Sequence, residues 1–193
     1  MKNKKTFFII ALVFVLLIGG ATVLYRQLGK NITAEQLTTQ NTNQTDERAA
    51  GETEQKIKAP DFTVYDADGN EVHLADYIGK PIVLNFWASW CGPCQSEMPD
   101  FHEKYLELGD DVHFLMINMT DGARETVESA SAFIAKNGYA FPVFYDTKSD
   151  AASIYGAYSL PTTFFIDADG YAIAQATGAI DAETLQRGLD MIK

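Results

Sequence analysis

This chain of 193 residues is short of cysteine, histidine and basic side chains, and each shortage closes off a class of protein. With two cysteines, Cys91 and Cys94, it cannot be a small scaffold held together by several disulfides. A structural zinc site takes about four Cys or His ligands. His73, His102 and His113 are single and scattered and there is no second cysteine pair, so no metal site is expected. Lys and Arg number 15 against 26 Asp and Glu, for a formal net charge of −11. Lys2, Lys4 and Lys5 are the only charges before Arg26, and the chain beyond them is more acidic still, at −14. Phosphate backbones recruit basic surfaces, so nucleic acid is not an expected partner.

What the chain does contain is concentrated. Both cysteines lie in one turn, Cys91-Gly92-Pro93-Cys94, between an apolar run and a helix-like segment. A disulfide stabilises chiefly by closing a loop in the unfolded chain, an effect smallest for such close neighbours. The readings left are a redox dithiol, part of a metal site, or an inert pair. A Cys-x-x-Cys next to a strand–helix unit favours redox chemistry.

The N-terminus carries a different signal. From Phe7 to Tyr25 there are nineteen residues without a charge, preceded by the three lysines. About 20 apolar residues cross a bilayer core of about 30 Å. Basic residues before the run predict that this end stays in the cytoplasm and the rest lies outside, which makes residues 1–25 a membrane anchor. The alternative is a cleaved signal peptide with Gly19-Gly20-Ala21 as the small-residue site; either reading exports the remainder of the chain. Residues 26–57 are rich in Thr, Gln, Asn and Glu and read as a flexible linker. Residues 58–193 suit one domain with its own core.

Within that domain, Asp61–Tyr65 and Glu71–Leu74 flank an Asp-Gly turn and predict a hairpin. The run Pro81–Ala88 is nearly continuous in apolar side chains, as in a strand covered on both faces. Cys91 to about Gly109 has the spacing of a helix, and Pro99 in its interior predicts a kink. The alternation continues with a strand over Val112–Met119, a helix over Arg124–Asn137 and a strand over Phe141–Tyr145. A short helix is expected around Ala151–Tyr155, then a hairpin of Thr162–Ile166 with Tyr171–Thr177. Asp181 caps a last helix. This pattern is an α/β fold. Trp87 is expected in the core.

The run Asn85-Phe86-Trp87-Ala88-Ser89-Trp90-Cys91-Gly92-Pro93-Cys94, then Pro99, Leu160-Pro161-Thr162-Thr163 and Gly178, together resemble the thioredoxin superfamily over the whole domain. The export segment, the N-terminal hairpin, the helix–strand insertion between Arg124 and Tyr145 and the Glu97-Met98-Pro99 triplet look more like its membrane-anchored TlpA-like and ResA-like thiol-disulfide oxidoreductases. The resemblance implies a thioredoxin-like fold with a central mixed sheet flanked by helices, and a redox disulfide Cys91–Cys94 as the sole redox group. It implies Cys91 as the exposed nucleophile and Cys94 as the shielded resolving thiol. Pro161 would be a cis proline facing them, and Leu160 would pair its backbone with a substrate strand beside Thr162. Trp90, Gly92 and Pro93 shape the docking surface. Asn85 stands where thioredoxins carry a buried aspartate, and an amide cannot shuttle a proton. Glu97 lies three residues after Cys94 on the same helix face, and the resemblance to the TlpA-like branch, in which a glutamate at this place is tied to the active-site thiols, implies it as the acid–base group; a solvent-facing helix glutamate is the plain alternative.

The partners implied are disulfide-bearing exported proteins, apocytochrome c among them, and a CcdA-like or DsbD-like membrane electron donor, with the protein itself a monomer. Two rivals stay open. Thiol peroxidases place a lone cysteine in a Thr-x-x-Cys context, unlike this turn. A metal chaperone or binding module could use the same scaffold without catalysis.

Overall fold

The computed structural model describes Leu37–Thr39 and residues 56–193. The expected anchor and most of the expected linker lie outside the described residues. Among the described residues, no helix is long and apolar enough to cross a membrane. Strands are β1 (Leu37–Thr39), β2 (Ile57–Lys58), β3 (Thr63–Tyr65), β4 (Glu71–His73), β5 (Ile82–Trp87), β6 (His113–Asn118), β7 (Val143–Tyr145), β8 (Thr162–Ile166) and β9 (Tyr171–Thr177). Helices are α1 (Gly92–Leu108), α2 (Val127–Asn137), α3 (Asp150–Tyr155) and α4 (Ala182–Ile192), with a 3-10 turn at Leu74–Tyr77.

One mixed sheet has the order β1-β9-β8-β5-β6-β7-β3-β4, with β2 also on β9. β5 and β6 are parallel, as are β6 and β7, while β5 with β8 and β8 with β9 are antiparallel. Every residue of β5 is buried, as its continuous apolar run requires of a strand covered on both faces. Alternation then splits the core. Val83 and Trp87 face one cluster with Cys94, Met98 and Phe101 of α1, Ala130 of α2 and Leu185 of α4. Ile82, Leu84 and Phe86 face the other, with Ala151 of α3 and Leu74. The N-terminal hairpin forms as expected, Val64 opposite Val72, with the Asp66 carboxylate accepting from the Asp68 and Asn70 amides across the turn.

Two stretches differ from what the sequence predicts. The helix expected from Arg124 starts at Val127: Asp121 Oδ1 accepts from the Ala123, Arg124 and Glu125 amides, and Thr126 forms a capping box with Ser129. Side-chain acceptors outcompeted the helical ladder there. Leu37–Thr39, inside the segment read as a flexible linker, is a strand paired with Ala174–Ala176 of β9, and Leu37 packs against the core. The exposed backbone groups of β9 supply the partner that local composition does not reveal. Pro99 lies inside α1, as its place in the sequence implies.

Candidate active site: a dithiol turn between two buried carboxylates

The turn sits where the buried end of β5 passes into α1. Cys91 is the N-cap of α1, with Cys91 Sγ accepting from the Cys94 amide at 3.2 Å and Pro93 in the first helical turn, where its missing N–H costs nothing. Cys91 and Cys94 are joined as a disulfide. The unpaired amides and the positive end of the helix dipole at this point favour negative charge on Cys91 Sγ once the bond is broken.

Beside it lies an open groove of about 530 Å³, lined by Trp90, Cys91, Gly92, Pro93, Met119, Asp121, Arg124, Ala157, Tyr158 and Leu160. Cys91 reaches this groove although it is only 4% exposed, so the nucleophile expected to be exposed is set into the groove wall in the oxidised state. Cys94 is wholly buried and does not line the groove, as a resolving thiol requires. Trp90 is 41% exposed and Tyr158 82%, large apolar surfaces open to a partner. The Arg124 guanidinium lies 3.5 Å from the Trp90 ring centroid, a cation–π contact that fixes the indole beside the turn. The Leu160–Pro161 bond is cis, and Pro161 C=O accepts from the Gly178 amide at 2.9 Å. Leu160 lines the groove; Thr162 does not, being buried with its hydroxyl donating to Ser159 C=O, so it braces the proline loop from behind.

Glu97 is 2% exposed, which overturns the solvent-facing alternative. Its Oε1 accepts from Asn85 Nδ2 at 2.9 Å and its Oε2 from the Ile180 amide at 2.9 Å. Burial pushes its carboxyl up to about 7, against the pull of those two hydrogen bonds. A carboxyl that titrates near neutrality, one helical turn beyond the buried thiol, can take and return a proton at physiological pH.

A second buried carboxylate escaped the sequence reading. Glu125, wholly buried, accepts from the Ser89 amide at 2.8 Å, the Ser89 hydroxyl at 2.7 Å and Asn118 Nδ2 at 2.7 Å. It ties the segment after β6 to the residues leading into the dithiol turn. The Thr126-x-x-Ser129 capping signal, which ends the preceding segment at Thr126, was the available clue that Glu125 precedes the helix.

The AhpC/TSA family profile matches residues 56–174. The chain belongs to the AhpC/TSA family. It is 38% identical over 136 residues to thiol-disulfide oxidoreductase ResA of Geobacillus kaustophilus, covering 70% of this chain and 76% of that protein. Among solved structures it resembles a Chlorobium tepidum thiol:disulfide interchange protein of the DsbE type, with 30% identity, a TM-score of 0.63, and coverage of 72% and 97% of the two chains. It also resembles StoA from Bacillus subtilis, with 26% identity, a TM-score of 0.58, and coverage of 67% and 96%. The protein is therefore a thiol-disulfide oxidoreductase of the ResA, DsbE and StoA type with a thioredoxin-like fold. Of the candidate residues, Cys91, Cys94 and Glu97 lie at the N-cap and in the first turns of α1, with Trp90, Cys91, Gly92, Pro93 and Leu160 around the groove.

Proposed function

We propose that this protein is an exported, membrane-tethered reductase of disulfides in partner proteins. The observation that carries the reading is the Cys91–Cys94 disulfide with a buried carboxyl, Glu97, tuned to about 7 one helical turn away. Reduced Cys91 attacks a partner disulfide as its thiolate, forming a mixed disulfide and releasing one partner thiolate. Cys94 loses its proton to Glu97 and attacks Cys91 Sγ, releasing the second partner thiolate and leaving the Cys91–Cys94 bond. Two electrons pass to the partner, and a dithiol donor must return them.

The direction rests on Gly92-Pro93, the dipeptide of reducing thioredoxins. Thioredoxin lies near about −270 mV and the oxidant DsbA near about −120 mV. The potential here is expected below about −220 mV. Export rests on Lys2, Lys4 and Lys5 ahead of the uncharged run Phe7–Tyr25. A reductant outside the cytoplasm needs electrons carried across the membrane, which makes a CcdA-like or DsbD-like donor the natural partner. The cysteine pairs of haem-attachment motifs in apocytochrome c are the substrate that the resemblance offers.

A redox titration of the protein tests the direction, and a value close to that of DsbA overturns it. Insulin reduction, together with capture of mixed disulfides by C94S, tests the activity. Turnover of peroxide without disulfide exchange would replace the reading with a thiol peroxidase.

A further inference from the structure

Asn85 is wholly buried on β5, between Val83 and Trp87 on the sheet face that packs against α1. Its register partner across the sheet is Thr163 of β8. Both hydrogens of its amide nitrogen are in use: Nδ2 donates to Glu97 Oε1 at 2.9 Å and to Thr163 Oγ1 at 2.9 Å. Its Oδ1 is different. Among the described residues it is a buried oxygen with no hydrogen-bond partner. Buried acceptors are almost always satisfied, and an exception of this kind points to a role in another state of the protein. The indole N–H of Trp87, two residues along the same face, is also unpartnered, so it is not the missing donor.

The state described is the oxidised one, in which neither sulfur carries a hydrogen. An incoming dithiol breaks the Cys91–Cys94 bond, becomes a disulfide itself and leaves two electrons and two protons on this chain. The proton on Cys91 departs as that thiol ionises, and the other stays on Cys94 as S–H. Reduction thus adds one donor to this face of the sheet, on a side chain that is itself wholly buried in the cluster holding Val83 and Trp87. A thiol is a weak donor, suited to a buried amide oxygen.

We propose that Asn85 Oδ1 accepts the Cys94 Sγ–H in the reduced protein, making Asn85 a positioning residue that bridges the resolving thiol and Glu97. The inference rests on the proposed roles of Cys94 and Glu97. Its two bonds act in opposite senses. Accepting from S–H favours the neutral thiol, whereas donating to Glu97 favours the carboxylate. The pair is therefore held as proton donor and proton acceptor until attack on Cys91 calls for transfer. The other groups acting on Glu97 are the Ile180 amide from the segment before α4 and Asp100 on its own helix, among the described residues the one charged side chain; β5 contributes the neutral Asn85, which is tied in turn to Thr163 of β8. An aspartate in place of Asn85 could not donate to Glu97 while ionised, which is a reason for the amide here.

The test uses the full chain. In C91S protein, where Cys94 is the lone thiol, its titration is followed by thiolate ultraviolet absorbance, and its S–H stretch by infrared spectroscopy. N85L removes the acceptor in a side chain of similar size. The expected result is a Cys94 midpoint lower by about one unit, a tenfold larger thiolate fraction at a given pH, and an S–H band moved to higher frequency. Repeating the comparison in an E97Q background separates the two readings. A shift that persists there supports Asn85 even if Glu97 proves not to be the relay. An unchanged midpoint and band in both backgrounds overturns the proposal. Should N85L fail to fold, the Asn85 Cγ resonance of the unsubstituted protein gives the answer: it moves on reduction if Oδ1 gains a donor, and a resonance that stays in place overturns the proposal.

Discussion

Glu97 and Glu125 are both buried carboxylates within a few residues of the dithiol turn, yet they are held differently. Glu125 accepts three hydrogen bonds, two of them from Ser89, which anchor the loop entering the turn. Glu97 accepts two, one from Asn85 and one from the Ile180 amide, and burial outweighs them to carry its carboxyl to about 7. Glu125 fastens a loop, whereas Glu97 sits one helical turn from the buried thiol. At Glu97 burial disfavours the ionised form more than its two hydrogen bonds favour it, so that carboxyl keeps its proton to higher pH.

The comparison is broken most severely at Glu125. E125A strands the buried Asn118 amide and the part-buried Ser89 amide and hydroxyl, and the expected loss of unfolding free energy is about 3 kcal/mol, measured by urea denaturation. Any fall in disulfide exchange should scale with disorder at Trp90. A stability loss near zero would refute the fastening role.

Glu97 gives an effect with a definite sign. Its carboxyl holds a proton more tightly folded, at about 7, than at its ordinary 4.5. Between those values the folded state binds more protons than the unfolded one, so this group's contribution to stability declines as pH rises through the window. The wild-type protein should lose about 3 kcal/mol more than E97Q between pH 4.5 and pH 8 in parallel urea titrations. Equal pH slopes would refute the assignment. E97Q should also slow exchange at neutral pH and remove the inflection near 7 from the rate profile; an unaltered profile would leave Cys94 without this acid–base group.

The smallest effect lies at the groove. R124A removes the cation stacked on Trp90, a contact worth about 0.5–1 kcal/mol at an exposed site. The expected outcome is a freer indole, seen as a changed Trp90 fluorescence anisotropy, and a raised KM for protein disulfides with little change in kcat. A loss as large as that of E125A would show that Arg124 shares the structural task of its neighbour.

Much of this arrangement is written locally in the chain. The apolar run of β5, the Asp-Gly turns, the Asp181 cap and the Cys-Gly-Pro-Cys turn each act over a few residues, so spacing and residue type reveal them. Glu97 is legible from its spacing to Cys94 together with the TlpA-like resemblance, but its burial is not. That depends on Asn85, 12 residues away, and on Ile180, 83 residues away. Leu37–Thr39 stayed hidden for the same reason, since its pairing partner is β9 at the far end of the chain. Around Arg124 a local signal existed and pointed the other way: the residues have acceptable helix propensity, and the Asp121 carboxylate captured their amides first.

The pairing of Leu37–Thr39 and Ile57–Lys58 along one side of β9 also bears on how many such molecules can share a crowded space. A bare seven-residue edge would offer a template on which another chain could add a strand and begin an aggregate. Here the protein fills that edge with its own preceding segment. The opposite edge, β4, is three residues long and carries the charge of Glu71, so neither border of the described sheet invites growth.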